Sequence, residues 1–253
     1  VLVLTPVFAL MFRFGIESDA GSIPAILSVF GIIGFILAMI ALFIASTLFI
    51  ILRFYRTTAT SEAFLTFTLP ASPTQILTGK LIVSTIWQFL TFFMALIAIA
   101  GLLITSSIVS THDLTQLYAG LQQLPELAGT YGIEFSQLIH SAILMGILML
   151  IGTPSGILIY YCSIMLGQLF NDHRVIASIA MYAAITFVLQ FVSMILSIPI
   201  ALGMSDSVSA GTAYGLANFN LTMLLSLGLS LVFGAVCFIV TDLIMKKKLN
   251  VRA

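Results

Sequence analysis

Gly79-Lys80 stands where a phosphate-binding loop would end, and it is one of a few places in this chain whose spacing suggests chemistry. Such a loop needs a glycine five residues before its second glycine and a serine or threonine after the lysine. Thr74 and Leu81 occupy those positions, so the motif is broken at both ends. Gly152-Thr153-Pro154-Ser155-Gly156 sets a serine in an apolar run, as an intramembrane serine protease would. The glycine that normally stands two residues before such a serine is Thr153, and His140 falls near the far end of the same segment. The stretch reads instead as a small-residue surface, Gly152 and Gly156, that lets helices approach, with a kink at Pro154. His112, His140 and His173 are scattered and share no metal-ligand spacing. Asn220-Leu221-Thr222 matches a glycosylation sequon but lies in an apolar run, a chance match. Cys162 and Cys237 also lie in apolar runs and read as small buried hydrophobes rather than a disulfide framework. No catalytic residue, metal site or cofactor of the chain's own is expected.

The elements around these residues are set by composition. The chain is 60% hydrophobic and 7% charged, with a mean hydropathy of +1.21. Soluble domains carry about 25% charged residues. This excludes a water-soluble globular protein and points to an all-α, polytopic membrane bundle of one domain over residues 1–253. Apolar runs predict spans at about 24–52, 77–104, 138–170, 175–202 and 216–245, each beyond the roughly 20 residues a crossing needs. A sixth, partial span covers about 1–12. The chain opens at Val1 without a methionine or a basic leader, so no signal peptide is read. The first half of this helix is expected to precede Val1. The span around Pro154 is long enough that it should tilt, kink or project into water.

Charge placement predicts orientation. With alternating spans, Arg53, Arg56, Lys80, Arg174, Lys246, Lys247, Lys248 and Arg252 fall on one side and Arg13 alone on the other. The basic side is then cytoplasmic and holds the carboxyl terminus. Residues 111–129, on the outer side, carry Leu114, Leu117, Tyr118, Leu121 and Leu124 at helical spacing between Asp113 and Gly129, an amphipathic helix. Asp242 precedes Lys246 by four residues, the favourable order for a helical ion pair. No charge lies clearly at mid-membrane. Gln88, Gln190 and Asn218 are the polar exceptions, open both to a substrate path and to plain interhelical hydrogen bonds.

The connector from 56 to 76 is the only inner loop long enough to form a docking element. Thr60 or Ser61 can cap a short helix, with Glu62 in its first turn, where an acid is favoured. Phe64, Leu65, Phe67 and Leu69 supply apolar anchors, and Pro70 and Pro73 end the element. An apolar patch facing the cytoplasm signals a protein contact or a membrane interface. Lys80 follows, free to snorkel to the headgroups.

These residues carry a resemblance. "ILRFYRTTATSEAFLTFTLPASPTQILTGKLI" is similar to the first cytoplasmic loop of the permease (transmembrane) subunits of bacterial ABC exporters of the type-2 class. "GQLFNDHRVIASIAMY" and the "KKKLN" ending resemble that family as well. The resemblance implies a six-helix permease of the inner membrane, a dimer with a second permease chain that is either identical or homologous. It implies export of a hydrophobic or amphipathic substrate, driven by ATP and magnesium bound on a separate cassette ATPase subunit. It assigns Ser61 to Pro70 as the coupling helix, with Ser61, Glu62, Phe64, Leu65, Phe67, Leu69 and Pro70 as the ATPase contact. Family members often show two adjacent acids where this chain has Ser61-Glu62. The expected partners are that ATPase, the second permease and membrane lipid, with no nucleic acid. Two other classes compete: a membrane scaffold or immunity protein that binds a peptide or lipid without ATP-driven transport, and an intramembrane enzyme.

Overall fold

The computed structural model describes residues 5–8, 10–11, 22–59, 72–107, 135–170, 173–207 and 212–250. Five helices make up its long elements: α1 (Ser22–Ala59), α2 (Pro73–Ser107), α3 (Phe135–Gly167), α4 (Arg174–Ser207) and α5 (Thr212–Asn250). No strand occurs among the described residues. All five are long and apolar enough to cross a membrane. At about 1.5 Å per residue they exceed the roughly 30 Å of hydrocarbon. The expected spans lie inside these helices, except that α3 stops at Gly167. The other helix ends run past the apolar runs because a backbone near lipid must bond to itself until water replaces it. Within the expected partial span, residues 5–8 and 10–11 are helical. All of the expected coupling helix, Ser61 to Pro70, and all of the outer amphipathic helix at 111–129 lie outside the described residues.

Two boundaries differ from expectation. Residues Arg56 to Ala59 belong to α1 rather than to a loop. Pro73 opens α2 instead of closing the element before it. Ser72 and Gln75 form a capping box there: the Gln75 N–H donates to Ser72 Oγ at 3.3 Å, and the Ser72 N–H to Gln75 Oε1 at 3.0 Å. Pro73 is then the first helical residue, where its missing N–H costs nothing.

The chain forms two compact units, Val1–Ile50 with Ile86–Leu124, and Ile51–Thr85 with Pro125–Ala253, so α1 and α2 contribute to both. In the first unit a buried hydroxyl pair, Ser46 and Thr91, joins α1 to α2 at 2.8 Å. The Phe49 and Trp87 rings lie against each other with centroids 5.1 Å apart. Ala95 and Ala98 are buried, and small side chains of this kind let helices approach in lipid, where association rests on packing and hydrogen bonds.

In the second unit α3 is the central helix, packed on α5 and α4, which also touch each other. Its carboxyl-terminal half is buried at Ile157, Leu158 and from Tyr161 to Met165, while α4 leaves Ile176, Ile179 and Phe187 more than half exposed. Leu158, Cys162 and Cys237 form a buried cluster with Phe238 and Leu81 against it, and both cysteines are free thiols. α3 continues through Pro154 without interruption. The hydroxyls beside the proline bond back along the helix, Thr153 to the Met149 carbonyl at 2.7 Å and Ser155 to that of Ile151 at 2.9 Å.

The small-residue expectation is corrected. Among the described residues, a Cβ at Gly152 or Gly156 would meet nothing within 4 Å. Close approaches in the second unit are instead at Gly234 of α5, where a Cβ would stand 2.6 Å from Ser155 Oγ, and at Gly167, where one would stand 2.6 Å from the Ser178 backbone. Spacing within one helix does not reveal which face meets a neighbour. Gly167→Ala is therefore expected to destabilise the protein by about 1–3 kcal/mol through overpacking. Gly156→Ala should be neutral or gain up to about 1 kcal/mol of helix propensity. Thermal unfolding of the purified variants in one detergent checks both, and equal midpoints would contradict the packing described.

Candidate functional site

The cations of the second unit gather at one end of it. α1 ends there, α2 starts there, α3 ends at the turn into α4, and α5 reaches its basic carboxyl end there. Arg53, Arg56, Lys80, Arg174, Lys246 and Lys247 all belong to these termini. Asp206, in the last turn of α4, is at the other end of its helix. Three contacts tie the end together.

The first centres on Tyr161, of which 1% is exposed. Its ring stacks on Phe54 of α1, with centroids 3.7 Å apart and planes 10° from parallel. Its hydroxyl shares a 2.6 Å hydrogen bond with Ser84 of α2 and lies 3.4 Å from the Lys80 carbonyl oxygen. The second joins α2 back to α1. The Lys80 ammonium donates to Thr57 Oγ1 at 2.8 Å and more weakly to the Thr57 carbonyl at 3.4 Å. It also stands 5.5 Å from the centre of the Phe54 ring, within reach of a cation–π attraction. Lys80 thus turns inward onto α1, where a free reach to the headgroups was expected. A desolvated ammonium needs acceptors, and Thr57 and the Phe54 face supply them.

The third contact joins α2 to α5. Thr74 donates to Asp242 Oδ1 at 2.8 Å, while Lys246 bonds the other carboxylate oxygen. The expected Asp242–Lys246 pair is present, with Asp242 buried and Lys246 half exposed. Its added role as an anchor for α2 was not legible, because Thr74 is far away in sequence.

The other expected site residues are dispersed. Ser61, Glu62, Phe64, Leu65, Phe67, Leu69 and Pro70 lie outside the described residues. Gln88 is half-buried in the first unit. Gln190 lines an open groove with Phe187, Phe191 and Met194 in the second unit. Asn218 is half-buried near the start of α5, and its carbonyl accepts from Thr222. Asn220 does bridge helices: its Oδ1 accepts from Ser141 of α3 at 2.8 Å. The sequon asparagine is committed to packing.

Among the described residues, buried amide atoms of two side chains, Gln137 Oε1 and both of Gln168, have no partner. Both amide atoms of Gln168, at the turn from α3 into α4, lack a hydrogen bond. The backbone here is tight, with Leu169 and Phe170 donating back to the Leu166 and Gly167 carbonyls, and His173 holds a left-handed φ of 54°.

No protein family matches the chain, and neither a curated protein nor a solved structure is significantly similar to it.

Two outcomes follow from this geometry. Asp242→Ala orphans the Thr74 hydroxyl and the Lys246 ammonium together, and should cost about 1–3 kcal/mol. Lys246→Ala should cost less than about 1 kcal/mol, since that ammonium is half solvated. Gln168→Leu removes an unsatisfied buried amide and is expected to raise stability by about 1 kcal/mol or more. Thermal midpoints of the three variants rank them. A Gln168→Leu protein that melts earlier than the native one would mean that the amide has a partner.

Proposed function

We propose that the chain is the membrane-spanning subunit of an ATP-driven ABC exporter of the type-2 class. It carries a hydrophobic or amphipathic substrate out of the cytoplasm or the inner leaflet of a bacterial inner membrane. It is not itself an enzyme: ATP and magnesium are bound, and ATP hydrolysed, by a separate cassette ATPase. It works as a dimer with an identical or homologous permease. Its basic helix ends and carboxyl terminus are cytoplasmic.

The observation that carries this reading is the connector "SEAFLTFTLP" together with the way its two flanks are held. A coupling element must pass movement of an attached ATPase to the spans. α1 and α2 enter and leave the connector, and both are bonded to the helices behind them. Phe54 stacks on Tyr161 of α3, and Thr74 bonds Asp242 of α5. Lys80 clamps α2 to α1 through Thr57. Displacement of residues 60–71 is therefore passed to α3 and α5 rather than absorbed by loose ends. Glu62 offers a charge and Phe64, Leu65, Phe67 and Leu69 offer apolar anchors for the ATPase surface. ATP shifts the inward and outward forms only by its differential affinity for them, so anchored flanks are what makes that difference felt in the membrane. The apolar spans suit a lipid, an amphipathic peptide or a hydrophobic drug.

The test is co-purification. The full-length chain, tagged and gently solubilised from its native membranes, is expected to bring down a cassette ATPase in stoichiometric amount. Glu62→Ala and Phe64→Ala should reduce recovery about tenfold or more, the scale of an interface anchor. Absence of any ATPase from membranes that contain such proteins would sink the exporter reading.

A further inference from the structure

The contacts of Lys80 enclose a cavity of about 200 Å³ between α1, α2 and α3. Arg53, Phe54, Thr57, Lys80, Ser84 and Tyr161 line it. Two features set it apart. It holds two cations, and no carboxylate lines it among the described residues. Among the described residues, the Asp242–Lys246 ion pair at this end of the unit leaves Arg53 and Lys80 aside. The cavity is also small. Sites for whole drug-sized ligands run to about 300–1,000 Å³, so this one fits a head group rather than a transport substrate.

Its depth bears on the ligand. Arg53 and Lys80 lie inside the apolar spans Val29–Thr58 and Pro73–Leu102. At about 1.5 Å per residue, they sit roughly 8–10 Å in from the span ends, the level where headgroups meet acyl chains. Cations held at that level without acids need a compensating negative charge. Arg53 presents a planar fork that suits phosphate oxygens, and the Lys80 ammonium has donor capacity beyond its two bonds to Thr57.

We propose that this cavity is a binding site for an anionic phosphate group, supplied by the headgroup of a membrane phospholipid. The apolar wall of Phe54 and Val83 gives the adjoining acyl chains a surface to follow. A bound phosphate bridges Arg53 at the end of α1 to Lys80 near the start of α2. It thereby adds a lipid-dependent tie between the two flanks of residues 60–71. The site stands whether or not the chain is a transport subunit.

The test is a lipid titration of the purified full chain, read by native mass spectrometry. The probes are phosphatidylglycerol and digalactosyl diacylglycerol, which has comparable acyl chains but no phosphate, with millimolar inorganic phosphate as competitor. Phosphatidylglycerol is expected to bind more tightly than the glycolipid. Arg53→Gln and Lys80→Gln should each weaken it about fivefold, the weight of one interfacial cation. Lys247→Gln, an exposed cation outside the cavity, should leave it unchanged. Displacement of the lipid by inorganic phosphate, with that phosphate retained by the native chain only, would uphold the site and change the source. Equal binding of both lipids, or equal loss in all three variants, would overturn the proposal. If Lys80→Gln does not stay monodisperse, Arg53→Gln, at an exposed position, decides alone.

Discussion

Tyr161 is the residue on which the second unit depends. Lipid gives helices no hydrophobic reason to prefer each other over acyl chains, so association rests on packing and on polar groups with nowhere else to go. Tyr161 meets both demands at one place. Its face stacks on α1, its hydroxyl bonds α2, and its backbone belongs to the most buried stretch of α3. Removal of the ring opens a void where three helices meet; removal of the hydroxyl leaves Ser84 seeking a partner in a medium that has none. The Ser46–Thr91 pair does the same for α1 and α2 in the first unit, with less area around it.

Polar side chains thus do two kinds of work. Along the spans, most hydroxyls bond to the carbonyl three or four residues back in their own helix, as at Thr85, Ser163, Thr222 and Ser230. That keeps them satisfied without committing them to a neighbour. At the basic end the bonds cross between helices, from Lys80 to Thr57 and from Thr74 to Asp242. Crossing bonds fix one helix relative to another and local bonds do not. Most crossing bonds of the second unit lie near residues 60–71, and the Ser141–Asn220 bond ties α3 to α5 elsewhere.

The helices were legible because the apolar runs are long and the charges sparse. Their ends were less so. Ser72 and Gln75 form a recognisable capping pair, but Pro73 between them reads equally as a stop for what precedes it. Inter-helix partners left the weakest trace. Lys80 at a helix entry looks like a snorkelling cation until Thr57 and Phe54 are placed beside it. Gly152 and Gly156 have the spacing of a contact surface, yet the contacts fall at Gly167 and Gly234, which have no such spacing. The Asp242–Lys246 pair was readable because both partners sit on one helix, while Thr74, the third member, was not. A pattern along one helix says which residues share a face, not which face is met.

The fit of Gly167 against Ser178 bears on how the protein is built as well as on how it rests. The end of α3 turns tightly at Leu169 and Phe170, and α3 and α4 touch close by, at Gly167 and Ser178. Two apolar segments so closely tethered pay little entropy to find each other. They can enter the bilayer together as a helical hairpin. Such a pair has a definite orientation before α5 has been made, and α5 then docks on a surface already formed.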